Sequence, residues 1–364
     1  MIRLFTLPKF YRAVAEHRQV EKEIHRLLHH SLPATYIADQ APSLAFLKYA
    51  QKNFFSTLFL SIYQALNIPK ERRLFYGLIN HCLRGLVTGT DNLLDNEYKE
   101  MLALAFPDTA VRFKSVMHLL LFDRFLVQIV EQAAQNNLIT RDEMSVIHRK
   151  LFEALVPIGA EEAREEGGIK EILLPEEILS SVHMYKGGKL LCLAFVAPLL
   201  LERESAAALG SAEQGIYGIG MALQIIDDLT DFYEDLRNQN HNYLVSSIYH
   251  QGTVDEKDDL ALLLANRNIE RGPIELIFAH STRRVMRQAI GEAILGFDRL
   301  HDIGFWLDRG SAYKLIRFLF QLRGVENLLP LFPREDELES VPAAERQQAR
   351  YVLLDRSMQP SAVI

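Results

Sequence analysis

The chain carries one unusually acidic helical stretch, Gln224-Ile-Ile-Asp-Asp-Leu-Thr-Asp-Phe-Tyr-Glu-Asp235, which places five acidic residues within nine positions. On a helix, Asp227, Asp231 and Asp235 recur once per turn, so their carboxylates share one face. Each like-charge pair at this spacing destabilises a helix by roughly 0.2–0.5 kcal/mol, and no lysine or arginine lies between them to offset it. We therefore predict that this face binds a divalent cation. Oxygen ligands alone favour Mg²⁺ or Mn²⁺ over Zn²⁺.

Outside this stretch, the sequence also has the pattern of a helical protein. Apolar residues recur at three- and four-residue spacing, and alternating patterns typical of strands are essentially absent. The predicted helices are Leu44–Leu66, Leu74–Leu94, Val111–Ala134, Arg141–Ala154, Glu176–Leu201 and Ala206–Asp235, with more around Asp258–Ala265, Pro273–His301 and Ser311–Leu322. Asp108 and the pair Thr140 and Glu143 are predicted helix caps. We predict a single all-α domain over residues 1–329 and a C-terminal appendage over 330–364.

Composition excludes several classes of protein. With 364 residues and a net charge of -7, the chain lacks the basic footprint of a nucleic-acid-binding protein. Cys82 and Cys192 are far apart in apolar helical patterns, so we predict two buried thiols in a reducing compartment and no disulfide. The longest apolar run, Leu190–Leu201, is shorter than the roughly 20 residues that a membrane span needs. We expect a soluble, cytoplasmic protein without a secretory leader or a transmembrane segment.

Two further features could act together with the acidic stretch. Asp91 and Asp95 stand at i, i+4 near the end of a predicted helix, so a second carboxylate pair could face the first across a helical bundle. Lys186 and Lys189 precede the most apolar run and could reach an anion bound by the metal. The Glu-x-x-His pairs typical of di-metal carboxylate bundles are absent.

These pieces together resemble the trans-isoprenyl diphosphate synthases, also called polyprenyl synthetases, of the class I terpenoid synthase superfamily. That family has a first aspartate-rich motif, a lysine about ninety-five residues later, and a second motif of the form Gln-x-x-Asp-Asp-x-x-Asp. Here Lys186 lies 95 positions after Asp91 and 38 before Gln224, and residues 224–231 look like the second motif. The resemblance covers roughly Lys52 to Ser247. It implies an all-α helical bundle around a deep central cavity, and dimers are usual in the family.

The resemblance also assigns roles. Asp91 and Asp95 would bind metal from one side, and Asp227 with Asp231 from the other. Asp228 and Asp235 are further candidate metal ligands, and the resemblance places Asp228 and Gln224 in the supporting shell of the second motif. Lys186 would contact the allylic diphosphate, and the remaining candidates for substrate binding are Gln224, Lys52 and Lys189. The implied reaction is ionisation of an allylic isoprenyl diphosphate with up to three Mg²⁺ ions, or Mn²⁺ in their place, followed by prenyl transfer.

Several positions depart from the family pattern. Asn92 stands where the family has a second aspartate, and of the upstream Gly-Lys-x-x-Arg element only Lys52 is retained. A pocket for isopentenyl diphosphate without its arginines should bind a diphosphate poorly. Terpene cyclases, which need one diphosphate and place ligands at the spacing of Asp227, Asp231 and Asp235, are therefore an alternative. Squalene/phytoene-type head-to-head synthases and a non-catalytic partner subunit of an active synthase are the others.

Overall fold

A computed structural model describes residues 8–39, 45–94, 98–322 and 326–332, and within these ranges the chain forms helices and no strands. Only one isolated antiparallel bridge, between Ile37 and Leu104, interrupts the helical pattern there. The helices are α1 (Pro8–Ser31), α2 (Phe46–Lys52), α3 (Phe54–Ala65), α4 (Lys70–Leu94), α5 (Val111–Gln135), α6 (Arg141–Ala163), α7 (Pro175–Leu201), α8 (Ala206–Thr230), α9 (Phe232–Asn238), α10 (Tyr243–Gln251), α11 (Val254–Ala265), α12 (Ile274–Ile277), α13 (Ala279–Asp302) and α14 (Arg309–Leu322). The all-α prediction is confirmed.

The helix boundaries differ from the sequence pattern in several places. Helix α6 runs to Ala163, beyond the predicted end at Ala154, and the helix predicted over Pro273–His301 is broken at Phe278. Helix α1 was not predicted, because it is mostly polar and buries only a narrow stripe that includes Val20, Ile24 and Leu28. The helix predicted over Leu44–Leu66 is broken at Asn53, the junction of α2 and α3. The helix predicted to reach Asp235 ends at Thr230 and resumes at Phe232.

The two predicted caps have opposite outcomes. Thr140 and Glu143 form the predicted capping box: the Thr140 hydroxyl accepts from the Glu143 backbone N–H at 3.2 Å, and the Glu143 carboxylate accepts from the Thr140 N–H at 2.8 Å. The Asp108 prediction is wrong, because the N-cap of α5 is Ala110 and no side chain caps it. Asp108 instead accepts from the ammonium of Lys114 at 3.3 Å.

The apolar core is one connected cluster of buried side chains that extends from Phe10 to Phe332. The boundary predicted between residues 329 and 330 falls inside the last described turn, Glu326–Leu331. Residues 333–364 lie outside the described part of the chain. Helix α8 lies at the centre of the core and packs along α13 on one side and α7 on the other. Cys82 and Cys192 are buried free thiols, as predicted.

Helix α7 is long and apolar enough to cross a membrane by length and composition, and it is the one described helix of this kind. It is longer than the apolar run Leu190–Leu201, because the π-helical segment Ile178–Lys189 extends the same helix towards its N-terminus. Half of its most apolar window is buried inside the protein, where α7 packs against α6 and α8. These contacts are those of a core helix.

Two glycines set the distance between α7 and α8. A Cβ atom on Gly187 would lie 2.5 Å from the backbone oxygen of Gly220, and a Cβ on Gly220 would lie 2.3 Å from the oxygen of Gly187. The two backbones therefore touch, which no residue with a side chain would permit. This contact includes Gly187, which directly follows Lys186, and Gln224 of the second motif, whose Cβ would lie 2.9 Å from a Cβ atom on Gly187.

We predict that Gly187→Ala destabilises the protein by roughly 1–3 kcal/mol, because its methyl group would collide with the rigid backbone of α8. Chemical denaturation measures the change. Gly210→Ala is the matched control, since a Cβ atom there meets no atom within 4 Å and alanine favours a helix by roughly 0.5–1 kcal/mol over glycine. Equal stability of the two variants would contradict the close approach.

Candidate active site

The three acids of the second motif keep their one-turn spacing although α8 ends between them. The N–H of Asp231 donates to the oxygen of Asp227 at 2.8 Å, and the N–H of Asp235 donates to the oxygen of Asp231 at 2.8 Å. Helical hydrogen bonds therefore continue through the junction of α8 and α9. Asp227 and Asp235 are half-buried and Asp231 is exposed. The one-turn backbone spacing inferred from the sequence is therefore kept through the end of α8.

Asp228 points into the protein. Its side chain accepts hydrogen bonds from His183 Nε2 at 2.8 Å, from Gln224 Nε2 at 3.3 Å and from the backbone N–H of Tyr243. His183 must donate through Nε2, since a carboxylate only accepts. Both oxygens of Asp228 are thus engaged by protein groups, which favours a supporting role over direct metal binding. Gln224, half-buried one turn away, belongs to the same network.

Asp235 lies in a crowded acidic environment. It accepts from the side-chain nitrogens of Asn242 at 2.8 Å and Asn240 at 3.3 Å. Burial, followed by the charge of Asp228, nevertheless raises the pKa of Asp235 to about 8. Asp231 adds to the same effect. This concentration of negative charge fits the presence of a cation beside the motif.

The first motif is described only in part. Asp91 is half-buried in the last turn of α4, whereas Asp95 lies outside the described residues. Asn92 is fully buried, and its side chain clamps the chain that returns after the motif. Its Oδ1 accepts from the N–H of Lys99 at 2.8 Å, and its Nδ2 donates to the oxygen of the same residue at 3.2 Å. Position 92 therefore requires both a donor and an acceptor, which explains an amide in place of the family's carboxylate.

Lys186 is held by two acids that the sequence reasoning did not connect with it. Its ammonium lies 2.8 Å from Glu162 Oε2 and 2.7 Å from Glu165 Oε2. Burial alone would lower the pKa of Lys186, but the two carboxylates raise it above its usual value. The only signal in the sequence was the acidic break near residues 158–168. Contacts between positions more than twenty residues apart leave no periodic signature.

The second lysine is not brought to the acidic motif. Lys189 is exposed, and its ammonium lies 5.9 Å from the ring centroid of Tyr217, which precedes Gln224 by two turns of α8.

A cavity of about 370 Å³ lies between α2, α3, α4, α7, α8 and α14. Its walls are mostly apolar and include Phe55, Phe59, Val87 and Leu223. Asp91 follows Val87 by one turn on α4, and Asp227 follows Leu223 by one turn on α8. Each acidic motif therefore lies one helical turn from the wall of the same cavity.

The cavity also has two cations at its wall. Lys52 was predicted to bind substrate, and Arg84, which was not among the predicted site residues, lines the same cavity. The guanidinium of Arg84 donates to Asn53 Oδ1 at 3.0 Å and to the backbone oxygen of Lys52 at 3.3 Å. Burial lowers the pKa of Arg84, although a guanidinium remains charged in proteins. Arg84 on α4 therefore supplies a guanidinium beside Lys52 at the cavity wall.

The donor chemistry of the two motifs fits Mg²⁺. Within the described ranges, no three acidic, histidine or cysteine side chains converge on one point as a preformed metal site. Mg²⁺ does not need such a cage, since it is commonly bound by one or two carboxylates together with phosphate oxygens of the substrate. Asp91, Asp227 and Asp231 provide oxygen donors of this kind.

The helical bundle with its central cavity and flanking acidic motifs is the isoprenoid synthase fold. Solved structures with this fold include a decaprenyl diphosphate synthase from Rhodobacter capsulatus, with a TM-score of 0.56 and 15% sequence identity over 86% of this chain and 99% of that one. A geranylgeranyl pyrophosphate synthase from Corynebacterium glutamicum is similar, with a TM-score of 0.57 and 15% identity over 88% and 96%. The same enzyme complexed with calcium and isoprenyl diphosphate gives 0.56 and 15% over 87% and 98%. No protein-family model and no curated protein sequence matches the chain.

Restoring the missing acid of the first motif should harm the protein. We predict that Asn92→Asp lowers the free energy of unfolding by about 1–3 kcal/mol at pH 7, because a buried carboxylate cannot donate to the oxygen of Lys99. The loss should shrink as the pH falls and the new carboxyl group becomes protonated. Chemical denaturation at several pH values tests this. Asn268→Asp, at an exposed position, should stay within about 0.5 kcal/mol of the wild type.

The raised pKa of Asp235 predicts a pH dependence of stability in the absence of divalent metal. Between the unfolded pKa of 3.8 and the folded pKa of about 8, the folded state holds a proton that the unfolded state has lost. Stability should therefore fall as the pH rises through this range, by at most about 1.4 kcal/mol per pH unit. Asp235→Asn should flatten the slope, measured by denaturation in a chelator between pH 5 and 8.5. Exposed Asp258→Asn should keep it, and an unchanged slope in Asp235→Asn would contradict the assignment.

Proposed function

We propose that this protein is a magnesium-dependent prenyltransferase, which ionises an allylic isoprenyl diphosphate and transfers the prenyl group to an acceptor. The observation that carries the proposal is the arrangement of two acidic motifs, each one turn beyond the wall of the same apolar cavity. The fold it shares with polyprenyl and geranylgeranyl synthases supports the same reaction. One of those enzymes was solved with calcium and isoprenyl diphosphate, a divalent cation together with a diphosphate ligand.

In this proposal, acids from two helices hold the metal. Asp91 and Asp95 contribute from α4, and Asp227 with Asp231 contributes from the end of α8. When bound, Mg²⁺ supplies Lewis-acid neutralisation of the charge that develops on the diphosphate. Asp228 positions the second motif through its contacts with His183 and Tyr243. Mn²⁺ has the same oxygen preference and could replace Mg²⁺.

The remaining residues bind the substrate and protect the allylic carbocation from water. Lys186 and Gln224 lie at the contact between α7 and α8, where they can meet the diphosphate group. The isoprenyl chain occupies the cavity, whose phenylalanine and leucine side chains exclude water from the carbocation. No protein nucleophile is required, because the bond breaks by ionisation.

Lys52 and Arg84 favour an acceptor that carries its own diphosphate. Together they place two positive charges at the wall of the cavity, and Arg84 presents a fork of donors that suits phosphate oxygens. A terpene cyclase binds one diphosphate and has no need of a second cationic group. This pair therefore supports prenyl transfer over cyclisation and supports an enzyme over a non-catalytic subunit.

We also propose that the protein forms a homodimer and is located in the cytoplasm. Exposed apolar side chains recur along α5 at Phe113, Val116 and Leu120, and on α6 at Phe152 and Val156. A second copy of the chain could cover them, since soluble proteins rarely leave such stripes in water. Two buried free thiols fit a reducing compartment.

The test is incubation with geranyl, farnesyl or geranylgeranyl diphosphate and Mg²⁺, with and without isopentenyl diphosphate, followed by measurement of released pyrophosphate and of product mass. We expect release that requires Mg²⁺ and a product lengthened by isoprene units. In the double variant Asp227→Ala/Asp231→Ala, the rate of pyrophosphate release should fall by a factor of about 100 or more, because the charge that develops on the diphosphate loses its stabilisation. Asp258→Ala, an exposed aspartate on α11, is the control and should match the wild type.

Each other product identifies a different reaction. A hydrocarbon or alcohol of unchanged carbon number indicates cyclase chemistry, and a doubled hydrocarbon indicates head-to-head coupling. Absence of release with every substrate would support the partner-subunit alternative. Full activity in the double aspartate variant would disprove the assignment of the second motif.

A further inference from the structure

The end of α6 carries two glutamates that bind the lysine assigned to the diphosphate. Glu162 Oε2 and Glu165 Oε2 lie 2.8 Å and 2.7 Å from the ammonium of Lys186. An ammonium has three hydrogen-bond donors, so these contacts leave at most one for any other ligand. The three groups together carry a net charge of -1, which opposes the approach of an anion. In the structure, the positive charge of Lys186 is therefore compensated by the two carboxylates, whereas the proposed reaction needs this charge to be accessible to the diphosphate.

Burial makes these contacts strong. The side chain of Lys186 is 13% exposed, that of Glu165 is 8% exposed and that of Glu162 is 35% exposed. The second oxygen of Glu165, Oε1, is buried and has no hydrogen-bond partner in the structure. Burial raises the pKa of Glu165, while Lys186 and, to a smaller extent, the backbone N–H of His241 stabilise its charged form. Ion pairs with this little solvent around them compete effectively with a ligand.

The glutamates are fixed in place by the backbone that follows them. Gly167 and Gly168 adopt left-handed conformations with φ of 86° and 85°, which turn the chain sharply away from α6. The N–H of Ile169 then donates to the oxygen of Gln239 at 2.8 Å, just beyond the second acidic motif. Lys186, by contrast, has a flexible four-carbon side chain. A change of partner would therefore begin with rotation of the Lys186 side chain.

We propose that Glu162 and Glu165 set the affinity for the diphosphate, because they hold Lys186 in competition with the substrate. This inference rests on the proposed function, in which Lys186 contacts the allylic diphosphate. The diphosphate must take the ammonium from the two carboxylates, so part of its binding free energy is spent on breaking those contacts. A chain without the two glutamates binds the same group more tightly. Glu162 and Glu165 are thus affinity determinants that never touch the reacting atoms.

The test is titration calorimetry of inorganic pyrophosphate in the presence of Mg²⁺, which reads binding without any turnover. We expect Glu162→Gln/Glu165→Gln to bind pyrophosphate about tenfold more tightly than the wild type, since charge-assisted hydrogen bonds to Lys186 no longer have to be broken. Glu166→Gln is the matched control. It removes one negative charge, against two in the double variant, from an exposed position on the same segment and should bind like the wild type.

A third variant shows whether the gain passes through Lys186. The triple variant Lys186→Met/Glu162→Gln/Glu165→Gln leaves no buried charge unpaired among the three groups and should lose the tenfold gain. Equal affinity of the triple and double variants would overturn the inference, as would an equal gain in Glu166→Gln. Binding by the wild type with no improvement in the double variant would overturn this inference and leave the proposed function standing. No binding by any of the proteins would overturn both.

Discussion

The buried carboxylate of Asp228 is the interaction on which the arrangement of the candidate site depends. It is 3% exposed and joins three helices, because its donors come from His183 on α7, Gln224 on α8 and the backbone of Tyr243 at the start of α10. A carboxylate buried without these donors would cost several kcal/mol. The close packing of Gly187 against Gly220 makes the contact with His183 geometrically possible. Because Asp228 is fixed in the interior, its neighbour Asp227 is directed to the other side of the helix.

The site separates charges of opposite sign over short distances. The acids of the second motif crowd together enough to raise the pKa of Asp235, and a pair of glutamates neutralises Lys186. In the proposed function, the acidic side of the site would repel a diphosphate until cations bind, so the metal would be a condition for substrate binding as well as for ionisation. Lys52 and Arg84, which belong to α2 and α4, carry their positive charge at a different part of the cavity wall. In the proposed function, one anion would bind through metal at the acidic motifs and a second would bind at Lys52 and Arg84, with different affinities.

Much of this arrangement could be predicted from the sequence because it depends on local spacing. The helical periodicity, the row of Asp227, Asp231 and Asp235, and the distances between motifs are all written along the chain. Helix α1 was missed because its apolar stripe is narrow and its remaining surface polar. Asp108 was a wrong cap prediction, since a residue of the right type does not guarantee cap geometry.

The rest could not be predicted because it depends on contacts between distant positions. Lys186 meets its glutamates across more than twenty residues, and Arg84 reaches the backbone of Lys52 across thirty-two. No propensity or motif encodes such pairs in a single sequence. Asn92 is an example. In the sequence it stands where the resembled family has an aspartate, but in the structure its amide forms hydrogen bonds with both the N–H and the oxygen of the Lys99 backbone.

The departures from the family pattern are therefore of two physical kinds. At position 92 the change adds hydrogen bonds, so the amide is retained by the fold regardless of what the site binds. At position 84 the change moves a positive charge: the upstream element has lost its arginine, and an arginine on α4 now donates to the backbone of the one lysine that remains. Arg84 is half-buried at the wall of an apolar cavity, where burial disfavours its charge. Its hydrogen bonds to Asn53 and to the backbone of Lys52 engage two of the five guanidinium donors, and in the proposed function the others would bind a second anionic group.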